Sequence, residues 1–357
     1  MKRVYILAAL TATLAALVAC DRSGKDVSQN MIRFQTMEDS PSDAATRAGD
    51  TNRALQPMFL FWTNGHFNDA SADGSVDSPD FFVQTSDYEI DHWNSTLYNT
   101  QKYYPIQDKE IYAAGFAPAP GDGYLSFATE GDYSKFVIPA NTSGTTTCPD
   151  DPYGVMDILS APRMTGKDSS PLTAAGPMKF YHAQTKLFFD AKLATTMRKY
   201  VKQVKIQLPD ALVPRTLEWS ETEARYVVKG VEGDEYITLF NYWTDDGTTV
   251  ADNKRANETM FFGVSSANFE HLGYTYTVPP GSTLSFIVSF KLSDTDVNPV
   301  WKDVTIPIDV DFSTPLKAGD AYRIKLVIDV LDIELSATKV DWVDGGYVSI
   351  NVPITVS

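Results

Sequence analysis

Short runs of apolar residues, many of them alternating with polar ones, recur along most of the chain. A period of two residues is typical of a strand with one buried face, because successive side chains of a strand point to opposite sides of the sheet. No stretch between residues 54 and 170 shows a long 3.6-residue period. Gly, Pro, Asn and Asp separate the runs, which predicts strands at residues 58–62, 81–83, 111–116, 136–138, 178–182, 187–193, 201–208, 236–240, 284–290, 304–310 and 322–328.

The whole pattern predicts an all-β protein. Many short strands with turn residues between them are typical of sandwiches or barrels. Residues 165–177 are rich in Gly, Ser and Pro, which predicts a linker or a long loop there. Because 357 residues are enough for about two domains, we expect two β-sandwich domains in tandem, at residues 48–172 and 173–357.

The strictest alternation lies next to the last residue of the sequence. In residues 347–356 every even-numbered side chain is apolar, and a Gly-Gly pair comes just before them. Pro353 has no N–H, so one side of this strand has to remain unpaired at that position. Two interpretations stay open: the last strand of the protein's own sheet, or a strand that is lent to another molecule.

The N-terminal residues have the order of a signal peptide. Lys2 and Arg3 precede an apolar run over residues 4–18, and the run ends in Leu-Val-Ala-Cys at Cys20. These four residues resemble a bacterial lipobox, in which the cysteine receives lipid and the preceding residues 1–19 are removed. Each buried CH₂ of an acyl chain contributes about 0.8 kcal/mol, so several chains anchor a protein stably. We expect a lipid-anchored protein; an ordinary secretory signal with a coincidental cysteine is the alternative.

Composition and charge narrow the range of partners. The sequence is 43% hydrophobic, which is enough for real cores, and its net charge is −16. Removal of residues 1–19 would take away two basic residues and give −18. Such a charge argues against nucleic acid as a partner.

No residue pattern indicates catalysis or a cofactor. The four histidines are scattered, and the sequence contains neither a zinc-type ligand cluster nor a nucleophile or phosphate-loop motif. The two cysteines exclude a disulfide framework, and we interpret Cys148 as a loop or edge thiol. We therefore expect a protein that is not an enzyme and binds neither metal nor cofactor.

An ordered set of short motifs resembles the fimbrillin (type V pilin, Mfa-like) family. The chain has the lipobox, then an Ile-x-Phe strand at Ile32 and Phe34, and then Thr-Arg-Ala-Gly around Arg47. Each motif is weak alone, but together they cover most of the chain. The later motifs are at residues 157–161 with 178–183, at 317–326 and at 337–342.

The resemblance implies a fold and a route of assembly. It implies transthyretin-like, Greek-key sandwiches and export to the outer membrane as a lipoprotein with palmitate on Cys20. An arginine-specific protease would cut after Arg47, or as a second choice Arg53, and the lost residues 20–47 would include the strand of Ile32 and Phe34. Other subunits, the same or related, would be the partners. The donor strand would be residues 347–356, with side chains Val348, Ile350, Val352, Ile354 and Val356.

The role implied is a structural subunit of a surface fimbria that serves adhesion. A lipid-anchored glycan-binding protein of the outer membrane is the alternative, and it would keep its N-terminus. A hydrolase with a β-rich scaffold is a third hypothesis, but no residue pattern supports it. A stalk, an anchor and a tip subunit all fit the sequence, and an adhesion ligand on a host or bacterial surface is left open.

Overall fold

Within the residues that the structure describes, the β-branched and aromatic runs form 20 strands in four sheets, and the predicted all-β class is confirmed. The computed structural model describes the following residues: 31–38, 57–63, 79–84, 97–121, 125–139, 157–193, 200–233, 236–241, 269–294, 298, 300–328, 333–340 and 351–352.

The largest sheet has seven strands in the spatial order β3-β2-β5-β8-β9-β1-β4. Its strands are β1 (Met31–Glu38), β2 (Met58–Trp62), β3 (Phe81–Gln84), β4 (Leu97–Tyr103), β5 (Ile111–Ala117), β8 (Leu159–Gly166) and β9 (Met178–His182). The two ends of the sheet face each other, since the Phe34 ring of β1 lies 4.7 Å from the Phe59 ring of β2. The sheet therefore folds back on itself and encloses a core of its own.

A small sheet of order β13-β12-β7-β6 covers the other face of β2 and β5. Its strands are β6 (Ser126–Phe127), β7 (Lys135–Val137), β12 (Thr216–Ser220) and β13 (Arg225–Lys229). Alternation along β2 sends Met58, Leu60 and Trp62 towards this second core, and Phe59 and Phe61 into the first. All five side chains are buried, so β2 forms a middle layer with a core on each face.

The remaining strands form a sandwich in the C-terminal half. One sheet has the order β15-β10-β18-β19-β20, and the other β14-β11-β16-β17. Their bounds are β10 (Thr185–Leu193), β11 (Tyr200–Pro209), β14 (Tyr236–Asn241), β15 (Glu270–Thr277), β16 (Gly281–Ser293), β17 (Lys302–Leu316), β18 (Ala321–Ile328), β19 (Ile333–Val340) and β20 (Asn351–Val352). Side chains of β10, β11, β16, β17 and β18 fill the core between the two sheets.

Sheet membership does not follow the predicted division at residue 172. Strand β9 pairs with β8 and β1, β12 pairs with β7, and β13 pairs with β12. The three strands β9, β12 and β13, all beyond residue 172, therefore complete the sheets of the N-terminal half. A division that followed the cores would place these three strands with the N-terminal residues. The two-domain organisation itself stays a prediction.

The segment 165–177 is largely a loop, which is one of the two interpretations that its composition allows, but it is packed against the large sheet. Strand β8 continues to Gly166, and a 3-10 turn spans Leu172–Ala175. Leu172 is fully buried in the core of the large sheet, and its N–H donates to the Tyr104 hydroxyl at 2.8 Å. The buried Leu172 side chain and this hydrogen bond therefore help to hold the loop against the sheet.

The predicted C-terminal strand is described over two residues only. Asn351 and Val352 form β20, which pairs antiparallel with Thr338 and Ala337 at the edge of the five-stranded sheet. The other residues of 347–356 lie outside the described part of the chain.

The N-terminal processing sites are not described either. The signal peptide, Cys20, Arg47, Arg53 and Cys148 all lie outside the described residues. Among the residues that are described, no helix is long and apolar enough to cross a membrane.

Candidate functional site

Strand β1 lies inside the large sheet, although it comes from the far N-terminal side of the described chain. Its residues Met31 to Gln35 pair antiparallel with β4, and Thr36 to Glu38 pair parallel with β9. Strand β4 is at the edge of the sheet, and β1 is its only ladder partner in the described part of the chain. A strand in this place therefore joins β4 to the rest of the sheet. We call the place between β9 and β4 the β1 slot.

The inward side chains of β1 are buried among aromatic rings. Ile32 and Phe34 have no exposed surface. The Phe34 ring stacks on Tyr98 at a centroid distance of 4.9 Å and an interplanar angle of 10°. It also meets Phe59 at 4.7 Å and Phe61 at 5.3 Å. Offset and tilted contacts of this kind stabilise beyond the area that they bury. Phe34 is thus the centre of an aromatic cluster drawn from three strands.

A glycine on β5 makes room for the floor of the slot. A Cβ at Gly115 would lie 2.8 Å from Cζ of Phe180 and 3.0 Å from Sδ of Met178, which is closer than packed atoms tolerate. Met178 and Phe180 belong to β9, opposite Thr36 and Glu38 of β1. Glycine therefore allows β9 to approach β5 closely enough for β1 to fit beside it.

A bulge in β4 shapes the other wall of the slot. Gln101 has a φ of 56°, and its N–H donates to the Asn99 side chain at 3.0 Å. The pairing with β1 shifts register at this point. The Thr100 hydroxyl donates to the Ile32 carbonyl oxygen at 3.0 Å, so a side chain of β4 adds to the backbone pairing of β1.

Neutral groups line the slot. Burial raises the pKa of the Tyr104 hydroxyl, which accepts the Leu172 N–H, so this phenol stays protonated at neutral pH. Because the walls also carry the rings of Phe59, Phe61 and Tyr98, the interior of the slot is apolar and suited to an extended strand.

The chain connection of β1 is simple. In the sequence, β1 is joined to β2 through residues 39–57, and this segment contains both Arg47 and Arg53. The chain has only two cysteines, Cys20 and Cys148, and neither lies in β1. A cut at either arginine would leave β1 held to the rest of the protein by non-covalent contacts alone, unless Cys20 were bonded to Cys148.

Two of the motifs behind the fimbrillin resemblance, at residues 157–161 with 178–183 and at 317–326, meet where the chain passes from β9 to β10. Asp157 accepts from the His182 ring, with 2.8 Å between Oδ1 and Nδ1. The side-chain Oε1 of Gln184 accepts the Ile158 N–H at 2.8 Å, and the backbone carbonyl oxygen of Gln184 accepts the Gly319 N–H at 2.8 Å. Gly319 has a φ of +82°, which glycine adopts without strain. The junction therefore ties the N-terminal strands to the β17–β18 turn.

A second cluster lies on the face of β10 that points away from the C-terminal core. Lys186 is buried, with Nζ 4.3 Å from the Tyr274 ring centroid and 4.9 Å from that of Phe188. Asp190 is buried too and pairs with Arg323 at 2.9 Å. These charges are compensated by opposite charge and aromatic faces, which is a structural arrangement. The alternation of β10 predicted the strand but not this cluster.

Sequence reasoning found Ile32 and Phe34 but missed the residues that receive them. Tyr98 and Thr100 lie in Leu-Tyr-Asn-Thr-Gln-Lys-Tyr, which shows no apolar alternation. The one available signal was the pair of tyrosines in an otherwise polar run. Within the described ranges, no group of three or more His, Cys, Asp or Glu could hold a metal ion.

Among known proteins, only solved structures are found to be similar to this chain. No model of a protein family matches the sequence, and no curated protein matches it. The chain is similar to a fimbrial protein from Bacteroides vulgatus ATCC 8482, at 12% identity over 88% of this chain and 99% of that one, with a TM-score of 0.47. It is similar to a fimbrial assembly protein from Parabacteroides distasonis ATCC 8503, at 10% identity over 91% and 98%, with a TM-score of 0.41.

A third similar structure, from Bacteroides eggerthii DSM 20697, is described as a candidate cell adhesion protein; it is 14% identical over 88% of this chain and 97% of that one, with a TM-score of 0.48. The three descriptions name fimbrial and adhesion proteins, as the sequence motifs do, and none of them names an enzyme. Identities and TM-scores this low do not transfer a role from one protein to another.

Proposed function

We propose that this chain is a structural subunit of a cell-surface fimbria that serves adhesion and is assembled by exchange of strand β1. One observation carries the proposal. An internal strand with two fully buried apolar side chains, Ile32 and Phe34, is joined to the rest of the chain only through a segment that contains Arg47 and Arg53. The resemblance of the sequence motifs to those of fimbrillins supports it.

Loss of β1 would open the slot along its whole length. The slot would then expose apolar core and the unpaired backbone groups of β9 and β4. A strand from a neighbouring subunit would restore both kinds of contact. Because each subunit would donate at one place and accept at another, the contact would not close on itself, and a filament would result.

The first experiment concerns the cut. We expect Arg47→Ala to leave a longer, monomeric, lipidated form at the cell surface, because β1 then stays covalently attached. Arg53→Ala is the matched control, and its subunit should polymerise normally. N-terminal sequencing of sheared surface material checks both: a start at Ala48 supports the proposal. Polymer of normal length that retains residues 20–47 would contradict it, and a mature form that begins at lipidated Cys20 would favour the glycan-binding alternative.

The second experiment concerns export as a lipoprotein to the outer membrane. Cys20→Ser should abolish labelling by a clickable fatty acid and release the protein from membranes, since Cys20 would be the acylated residue. Cys148→Ser is the control and should be labelled as before. A Cys20→Ser protein that still incorporates the label would refute the lipid anchor.

The third experiment concerns the strand that is donated, which we propose to be residues 347–356. A carboxylate in the middle of the apolar row, Val352→Asp, should block assembly, because a buried unpaired charge costs several kcal/mol. Val352 also pairs with Ala337 within the subunit, so the melting temperature of the monomer is measured beside assembly. A well-folded monomer that no longer polymerises supports donation, whereas an unfolded monomer assigns the strand to its own sheet.

A further inference from the structure

The β1 slot is shaped for a particular pattern of side chains. The pocket of Phe34 is bounded by the rings of Phe59, Phe61 and Tyr98, all within 5.3 Å of its centroid. Ile32 fills a second apolar position, and the buried Thr36 fills a third position of smaller size. Any replacement strand has to present an aliphatic, an aromatic and a small residue at alternate positions, because only alternate side chains reach the core.

The slot also sets a requirement on the backbone of its occupant. β1 has neighbours on both sides, with β4 along its first residues and β9 along its last. Successive N–H groups of a strand point to opposite sides, so an N–H in this place donates to a partner where it faces β4 along residues 31–35 or β9 along residues 36–38. Proline has no N–H, so at any of those positions it would remove a ladder hydrogen bond.

The C-terminal strand of this chain meets neither requirement. Its alternating apolar row is Val348, Ile350, Val352, Ile354 and Val356, with no aromatic residue. A valine or isoleucine at the position of Phe34 would leave part of the aromatic pocket empty, and the lining would lose contacts. In each register that seats three successive members of this row on Ile32, Phe34 and Thr36, in either direction, Pro353 also falls within the eight residues of the slot.

We propose that the β1 slot accepts a strand from an unlike subunit, with an aliphatic-x-aromatic-x-small pattern and no proline across eight residues, and discriminates against the C-terminal strand of a second copy of this chain. The inference rests on the proposed strand exchange and deepens it. The chain would then link two kinds of subunit: it donates its proline-containing C-terminal strand to one and receives an aromatic-bearing strand from another.

A peptide exchange on the full chain tests this inference. Residues 45–50 are replaced by the site of a sequence-specific protease, one cut is made, and labelled peptides compete for the slot. The first peptide is the chain's own residues 29–40, and the second is its residues 345–357. The third carries Ile350→Phe and Pro353→Thr, and the fourth, the matched control, carries Ser349→Phe and Pro353→Thr, which places the aromatic ring on the outward face.

The first and third peptides should displace β1, as measured by mass spectrometry of the retained strand. The third should bind about thirtyfold more tightly than the unmodified C-terminal peptide, since it gains both ring contacts and a ladder hydrogen bond. Equal binding of the second and third peptides would overturn the inference, and so would equal binding of the third and the outward-facing control. If even the chain's own β1 peptide does not exchange, the strand-exchange proposal fails, and the inference fails with it.

A graft within the intact chain gives an independent measurement. Residues 31–38 are replaced by the sequence of residues 347–354, either unchanged or with Phe for Ile350 and Thr for Pro353. Because the strand stays covalently attached, no cut or exchange is needed. The modified graft should melt clearly above the unmodified one. A graft of the unmodified sequence that melts as high would overturn the inference.

Discussion

The core around β1 and the core of the C-terminal sandwich are both apolar and contain several aromatic residues, but they are assembled from different parts of the chain. Among the described residues, the members of the C-terminal core all lie between Leu187 and Ile328. The core around β1 takes Ile32 and Phe34 from a strand that is more than twenty residues upstream of its next member, Phe59. One core is therefore made by a continuous stretch of chain, whereas the other depends on a strand that a single cut would leave held by non-covalent contacts alone.

Because of this difference, the stability of the subunit and the retention of β1 should respond differently to substitutions in the two cores. Changes in the C-terminal core should alter the stability of the subunit without affecting how firmly β1 is held. Changes around Phe34 should alter both. The predictions below use the full chain and the same chain after one engineered cut between β1 and β2, so that the stability of the fold and the retention of β1 are measured separately.

The largest effect is expected from truncation of one fully buried ring in each core. Phe34→Ala and Phe286→Ala should each lower the free energy of unfolding of the intact chain by about 3–5 kcal/mol. In the cut chain, only Phe34→Ala should release β1 faster, on the order of a hundredfold, because only Phe34 is a contact of that strand. Denaturant unfolding and mass spectrometry of the retained strand give the two quantities. Equal release from both variants would mean that the two cores are not independent.

A somewhat smaller effect is expected from the buried ion pair beside the C-terminal core. Arg323→Met leaves Asp190 buried without its partner and should cost about 3 kcal/mol. Retention of β1 in the cut chain should not change. The double variant Asp190→Leu with Arg323→Met is the control and should regain most of the stability, because it leaves no unpaired charge. A double variant as unstable as the single one would show that the loss comes from packing.

Removal of a single methylene from each core compares the two cores more finely. Ile32→Val should cost about 1 kcal/mol and shorten the retention of β1 measurably. Ile308→Val in the C-terminal core removes the same group from a buried position and should cost a similar amount with no change in retention. If Ile32→Val does not change the retention time of β1, backbone pairing and not side-chain packing retains this strand.

The smallest expected effect comes from the hydroxyl that reaches across the bulge of β4. Thr100→Val removes the donor to the Ile32 carbonyl and should cost about 0.5–1 kcal/mol. Thr305→Val on the exposed face of β17 is the control and should be close to neutral. Hydrogen exchange at the backbone amides of β1 reports the difference, which should be absent in the Thr305 variant.

The strands that sequence reasoning found are those with β-branched or aromatic alternation. Strand β1 was visible from Ile32 and Phe34 because a half-buried strand needs one apolar face. Strand β4 was not, since Tyr98 is its one buried side chain and its other residues show no apolar alternation. A strand that is held by its neighbour's aromatic residues does not need a pattern of its own.

Pairing was harder to predict than strand position. Strand β1 meets β9, which lies about 140 residues further along, and no local signal specifies a contact at that distance. The same holds for the junction at Gln184, where two motifs noted only for their resemblance are joined by hydrogen bonds. In the segment 165–177, Gly, Ser and Pro correctly predict a loop. They do not reveal that Leu172 anchors this loop in the core.

The position of β1 between two neighbours has a consequence in time. Cutting the chain after Arg47 breaks one covalent bond but none of the ladder hydrogen bonds or ring contacts that hold the strand. The cut subunit would therefore stay closed until β1 dissociates, and the rate of that step depends on the barrier to leaving. Under the proposed strand exchange, the cut makes a subunit competent to polymerise, and the slow dissociation of β1 sets the interval between cutting and polymerisation. Cut subunits would then accumulate at the surface before the first of them is joined to a filament.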